Sequence, residues 1–446
     1  METATFLVQA NNNNQQTIAC SITDQLLKNL PVSVIFCYKK GIDNNLLIDS
    51  LKEVLSNFPL FAGTLININQ ILHIDCNNQG VHFSITKENG TLDQIIKELP
   101  TIQKKRLINT INPKKVISDQ SPILTIKLTN FACGGMILGV CWHHSIGDMH
   151  TFMYLMKAWS NTLNKKEYVL PLIVKERDNY LQENLEKNSN IMPGVRYLNT
   201  RELFKLFSYF LLSARNKLSL QFYFSQNELN NMKKEFLERN QKKLSVNDVL
   251  CSHVFSIISD LDSYNTKRTL AILVDYRVRT NLPQNLLGNF ISSIKILTDQ
   301  NINCFQLATE LRESVDNFQE RHMDIFSTQE YIEKNGGIKK IDKFLKTSID
   351  PINRTLLISN WTKLGVYDII FENSKPFYFT PFGDYPFPWL SSVCEGFSND
   401  GLLYSVILPS KLAKKLMQEN NIQRIHKYRD QSEVMPTLVE QLEWLF

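Results

Sequence analysis

The stretch from Met136 to Leu163 limits what this chain can fold into more than any other. Met136-Ile-Leu-Gly-Val-Cys-Trp142 is an apolar run that predicts a buried strand. It stops at His143-His144-Ser-Ile-Gly-Asp148, and helical periodicity runs from Met149 to Leu163. A strand that delivers a histidine to a turn in front of a helix sets an imidazole where a substrate can meet it. Imidazole can take a proton near neutral pH without being charged beforehand. Asp148 can reach back over one helical turn, or face away and pin the turn. With strand alternation, His143 lies on the opposite side of the chain from His144 and reads as structural.

A chain of 446 residues accommodates one large domain or two ordinary ones. Its 43% hydrophobic and 21% charged residues suit a soluble globular enzyme. The net charge of +5 is too small and too scattered to argue for nucleic acid, and Lys233-Lys234 and Lys242-Lys243 read as a solvated face. Eight cysteines without CxxC pairing read as reduced core residues of a cytoplasmic protein. Met1-Glu-Thr-Ala-Thr lacks the basic and apolar regions of a secretory signal, and no apolar run is long enough to span a membrane. The nearest, Leu203 to Ala214, is interrupted by Lys205 and Ser208. It reads as a buried or domain-packing helix, with surface membrane contact as the lesser alternative.

Strands are expected at Val32–Tyr38, Leu65–Asn67, Ile71–Asp75 and His82–Thr86, with a hairpin of Ile123–Asn130 and Met136–Trp142 turning at Cys133-Gly134-Gly135. Asn45 to Asn57 is helical, with Leu46, Leu47, Leu51 and Leu55 on one face, and the polar tract Asn11–Gln16 is a loop. The pattern weakens from Asn164 to Thr200 and resumes with a strand at Leu218–Phe224 and a helix from Gln226. Ser245 with Asp248 forms a helix start. Later strands fall at Leu270–Val274, Phe290–Leu297, Thr355–Ser359, Ser391–Glu395 and Leu402–Leu408, and helices at Cys304–Phe318 and Ser410–Gln418. This irregular alternation predicts an α/β protein of mixed sheets in sandwich layers. The divisions are a first domain over 1–165, a crossover linker over 166–215 and a second domain over 216–446, from which a late strand segment can return to the first.

His144-Ser-Ile-Gly-Asp148 resembles the HxxxD signature of the BAHD acyltransferases, which move acyl groups from coenzyme A thioesters to alcohols or amines. Four more segments match in the family's order. Leu51-Lys-Glu-Val-Leu-Ser-Asn-Phe-Pro-Leu-Phe-Ala-Gly63 looks like its helix exit. Val274-Asp-Tyr-Arg277-Val-Arg279, with Pro283 and Gly288-Asn289, looks like its arginine segment, and Ser359-Asn360-Trp361 like its TSW. Val366 to Pro376 aligns with the stretch holding DFGWG, of which Ile370-Phe371-Glu372-Asn373-Ser374 keeps the Phe alone. Met149 stands where the family usually has Gly. The resemblance runs from about Thr5 to the final strands.

The resemblance implies the fold of the chloramphenicol acetyltransferase-like superfamily. Two similar α/β domains, mixed sheets flanked by helices, enclose an interdomain channel in a monomer. Acyl-CoA is then a co-substrate with no permanently bound cofactor, and the partner is a small-molecule alcohol or amine of specialised metabolism. By position, His144 matches the general base and Asp148 a structural carboxylate paired with an arginine, Arg277 first and Arg279 second. Trp361 matches an oxyanion donor and Ser359 the adjacent hydroxyl, while Arg279, Gly288 and Asn289 match the coenzyme A side. Gly147 is expected to supply a backbone conformation that a larger residue would strain. With no GxSxG elbow or plausible nucleophilic cysteine, direct attack in a ternary complex is favoured over an acyl-enzyme.

Other readings stand beside this one. Taken alone, His144 would more often be a satisfied core histidine. A metal site of His143, His144, Asp148 and His150 fits the spacing, without an HExxH helix or cysteine partners. A condensation-type domain acting on carrier-bound thioesters shares the HHxxxD turn. A non-enzymatic binding protein on the same scaffold would account for the altered DFGWG segment.

Overall fold

The computed structural model describes residues 3–433, apart from 13–14, 100–101, 189, 263–266, 300–302, 384 and 386. Met1-Glu2 at the N-terminus and the middle of the Asn11–Gln16 tract therefore lie outside the described residues. Two six-stranded sheets carry the architecture. In the first, the strands run in the order Thr3–Val8, Val81–Glu88, Leu124–Phe131, Met136–Trp142, Val32–Tyr38, Pro376–Pro381. In the second the order is Lys217–Phe224, Leu402–Pro409, Leu390–Glu395, Leu356–Asn360, Arg268–Asp275, Ile291–Thr298. Both are mixed: Val81–Glu88 runs parallel to Leu124–Phe131, and Leu356–Asn360 parallel to both of its neighbours.

Each sheet has its own hydrophobic core. Val32–Tyr38 and Met136–Trp142 are buried at every position, because each has a strand on either side and helices over the face. The helices Asn44–Leu55 and Met149–Leu163 pack on each other, and Trp159 Nε1 donates to Leu47 O (3.2 Å) and Ser50 Oγ (3.0 Å). Leu47, Leu51 and Leu55 face that core as expected, but Leu46 is exposed and Val54 takes its place. The helix turns too far between Leu46 and Leu55 to bury both.

Three features depart from the sequence reading or make it definite. The linker is built: it holds the helix Arg177–Asn184, the short strand Val195–Tyr197 and the helix Thr200–Ser213. That last helix is not a buried one, since of its 14 residues Ser213 alone is buried, although Tyr209 and Phe210 touch Trp389 and Phe387 on its inner side. Finally, the sequence reading left open which late strand returns to the first domain, and Pro376–Pro381 crosses back to pair with Val32–Tyr38. The strand stitches the sheets together, since Gln221 Nε2 in the second sheet donates to Thr380 Oγ1 (3.0 Å) and Tyr378 Oη donates to Gln221 Oε1 (2.9 Å).

The altered motif Ile370–Ser374 is a tight turn in which Phe371 and Ser374 exchange main-chain hydrogen bonds. Phe371 is fully buried against Trp159, with ring centroids 5.0 Å apart, and Tyr38, which explains why the phenyl ring is kept. Glu372 holds φ +54°, the left-handed region that favours the glycine found there in the family pattern. None of these residues lines the cavity described next.

Candidate active site

A cavity of about 210 Å³ lies between the two sheets. Its wall includes Trp142, His144, Ser359, Trp361, Thr380 and Ser391, contributed by both halves of the chain. The strand Met136–Trp142 ends one residue before the turn, so His144 reaches the cavity while His143 points into the core. His143 is fully buried, accepts from Ser145 N at Nδ1 (3.3 Å), and is pushed down to about pKa 3, chiefly by burial. His144 is half-buried. Burial lowers its pKa, against the raising effect of its own main chain, Asp148 and Asn289, so the ring is neutral at physiological pH.

Asp148 caps the helix Met149–Leu163, accepting from Thr151 N at Oδ1 (2.9 Å). Its Oδ2 accepts from Phe290 N (3.0 Å) and from Arg277 Nη2 (2.5 Å). Burial would raise this carboxyl, but the Arg277 charge and hydrogen bond outweigh it and hold the pKa at about 2. Arg277, fully buried, also donates from Nε to Asp275 Oδ1 (2.9 Å) and from Nη1 to Leu286 O (2.9 Å). The Asp148 carboxylate is thus consumed in pinning the turn. Among the described residues no cluster of three or more His, Cys, Asp or Glu could hold a metal.

Gly147 has no positive φ, so the expected backbone strain is absent. Its constraint is space: a Cβ there would sit 2.4 Å from Thr151 Cγ2. Thr151 cannot withdraw freely, because its hydroxyl donates to Gly288 O (2.8 Å) and accepts from Gly288 N (3.0 Å). Trp142 closes the turn from below: its Nε1 donates to Gly147 O (3.1 Å), and its ring stacks on Phe152 at 4.1 Å.

A second buried ion pair, invisible in the sequence, supports the same turn. Arg177, in the linker, donates from Nη1 to Asp24 Oδ2 (2.7 Å) and from Nη2 to Ile146 O (3.0 Å). Asn289 Nδ2 donates to Asp24 Oδ1 (2.7 Å) and to His144 O (2.7 Å). Asn289 and Gly288 therefore stand behind the His144 turn, outside the cavity wall, and Arg279 is exposed on the surface. No periodicity points to Asp24 or Arg177; a charged residue inside a capping-box sequence (Ser21 with Asp24) is the one local hint, and it predicts a helix cap.

Across the cavity, Trp361 Nε1 donates to Ser359 Oγ (2.7 Å). The indole N–H is thus already engaged, and the Ser359 hydroxyl keeps its own proton to give. Lys346 also lines the wall and was not singled out in sequence. It is the one Lys or Arg among the described cavity-lining residues, and it makes no ion pair among the described residues. Burial lowers its pKa.

A sequence model described as the Transferase family matches residues 2–411. The chain belongs to this family, the BAHD acyltransferases. Stemmadenine O-acetyltransferase of Catharanthus roseus is 24% identical to it over 397 residues, covering 83% of this chain and 85% of that protein. Vinorine synthase shares the fold with a TM-score of 0.71 at 18% identity, over 95% of this chain and 98% of that one. So does the TRI101 protein of F. graminearum, complexed with coenzyme A and T-2 mycotoxin, with a TM-score of 0.73 at 14% identity, over 92% of this chain and 98% of that one. This family member is accordingly an acyltransferase with the two-sheet fold of those structures.

Proposed function

We propose that this BAHD acyltransferase moves an acyl group from acyl-CoA directly to the hydroxyl or amine of a small acceptor, with His144 as general base. The observation that carries the reading is a half-buried, neutral imidazole facing the same cavity as the Ser359–Trp361 pair. His144 takes the acceptor proton as the acceptor oxygen or nitrogen attacks the thioester carbonyl carbon. The resulting oxyanion receives the Ser359 hydroxyl proton in a hydrogen bond, with Trp361 orienting and polarising that hydroxyl. Collapse breaks the carbon–sulfur bond. The imidazolium returns its proton to the leaving thiolate, so that free coenzyme A and the ester or amide are the products. Arg277, Arg177 and Asn289 touch no reacting atom in this scheme; they position the turn. The coenzyme A named in the TRI101 complexes supports the donor assignment. The relative named as an O-acetyltransferase supports action in specialised metabolism; a cytoplasmic monomer is the state that the family resemblance implies. No helix among the described residues is long and apolar enough to cross a membrane.

The direct test is thiol release by the purified protein from a panel of acyl-CoA donors with pooled alcohols and amines. Release that requires both donor and acceptor is expected. Reaction only with carrier-bound thioesters would instead establish a condensation-type activity, and no turnover with any donor would leave a binding protein. Ser359→Ala is expected to lower kcat roughly 10²–10³-fold with little change in KM. Trp361→Phe should cost less, since the hydroxyl survives. Equal activity of Ser359→Ala and wild type would dismiss the oxyanion assignment. Lys346, unpaired in a cavity wall, fits a substrate bearing a carboxylate or other anionic group. Lys346→Met should raise KM for such an acceptor roughly 10- to 100-fold and leave its neutral ester unaffected. An equal effect on both acceptors would refute the role.

A further inference from the structure

We propose that the linker helix Thr200–Ser213 docks this enzyme onto an anionic lipid surface, lying in the interface rather than crossing it. The helix carries Thr-Arg-Glu-Leu-Phe-Lys-Leu-Phe-Ser-Tyr-Phe-Leu-Leu-Ser. Phe204, Phe207 and Leu211, at spacings of three and four, form one outward stripe. They are 71%, 60% and 63% exposed, and Leu212 beside them is 70% exposed. Four large apolar side chains on one convex face are more than scattered surface residues, and mark a contact.

The charges identify the partner. The exposed ionic residues on and just after this helix, Arg201, Lys205 and Arg215, are all basic, and none makes an ion pair among the described residues. The one acid, Glu202, is already spent: its Oε1 accepts from Arg196 Nη1 (2.9 Å) and its Oε2 from Asn199 N (2.9 Å). Phenyl and leucyl side chains flanked by uncompensated cations match the acyl boundary and phosphate layer of an anionic bilayer. A two-fold contact between copies would set these same cations against one another without an acid to separate them. The inner face is anchored. Phe210 stacks on Phe387 with centroids 5.1 Å apart, and Trp389 Nε1 donates to Tyr209 Oη (3.3 Å). Phe387 lines the cavity, so docking would hold the active-site wall one helix away from lipid.

The full chain is sedimented with phosphatidylcholine vesicles and with vesicles containing about one-third phosphatidylserine. Wild type is expected to bind the phosphatidylserine vesicles at least ~10-fold more tightly, with the difference shrinking as salt rises. Phe204→Ser/Phe207→Ser/Leu211→Ser and Arg201→Glu/Lys205→Glu should each weaken that binding ~10-fold or more. Both should keep the wild-type circular dichroism and the turnover of a water-soluble acceptor, because these side chains touch neither core nor cavity. Docking is overturned if wild type stays in the supernatant, or if either variant binds like wild type. It is equally overturned if wild type is a dimer that the serine variant converts to monomer without any vesicle binding, which would assign the face to a second copy.

Discussion

Replacing His144 by alanine is expected to lower kcat roughly 10²–10⁴-fold while the protein melts within a few degrees of wild type. The imidazole faces a cavity, so its removal enlarges existing space rather than opening a void in packed hydrocarbon. The hydrogen bond that ties this residue to the scaffold runs from Asn289 Nδ2 to the His144 carbonyl, which alanine retains. Turnover of wild type should also report the base directly. Burial holds the imidazole below the 6.5 of a free histidine, so the active neutral form persists into mild acid. Activity is therefore full above that range and declines as pH falls through a value under 6.5. Substantial activity in His144→Ala, or a pH profile whose acid limb lies above that value, would remove His144 from the mechanism.

Arg277→Met is expected to cost about 3–5 kcal/mol of stability, measured by urea unfolding. The guanidinium is fully buried between Asp148 and Asp275, and Asp148 is itself 3% exposed. Without it two carboxylates face each other with no cation between them, and burial favours their protonation or the opening of the turn. The companion variant Asp148→Asn/Arg277→Met should lose less than the sum of the two single changes, because neither charge is then left alone. Catalysis should fall as well in Arg277→Met, through a displaced His144 turn. A loss under about 1 kcal/mol would mean that the pair is dispensable to the scaffold.

Much of the turn's immediate surroundings was readable in sequence. The strand Met136–Trp142 and the helix Met149–Leu163 have the bounds that hydropathy and period predict. Ser245 and Asp248 form the expected capping box. Those signals live within a few residues of one another, where local hydrogen bonds and periodicity decide conformation. The Arg277 pairing with Asp148 came into view only through family likeness, since 129 positions separate them and no local rule links them. Leu203–Ala214 misled because an apolar helix with interspersed cations has the same composition whether it meets a core or an interface.

Residue order alone determined the strand–turn–helix that presents His144 and the irregular alternation of strands and helices, because each follows from neighbours along the backbone. Tertiary structure alone decided that Asp24, Arg177 and Asn289 brace that turn, that Pro376–Pro381 is the late segment that returns to the first sheet, and that Phe204, Phe207 and Leu211 face outward. Those outcomes rest on contacts between residues up to several hundred positions apart. Their strength comes from burial and desolvation, which are set by the packed whole rather than by any segment.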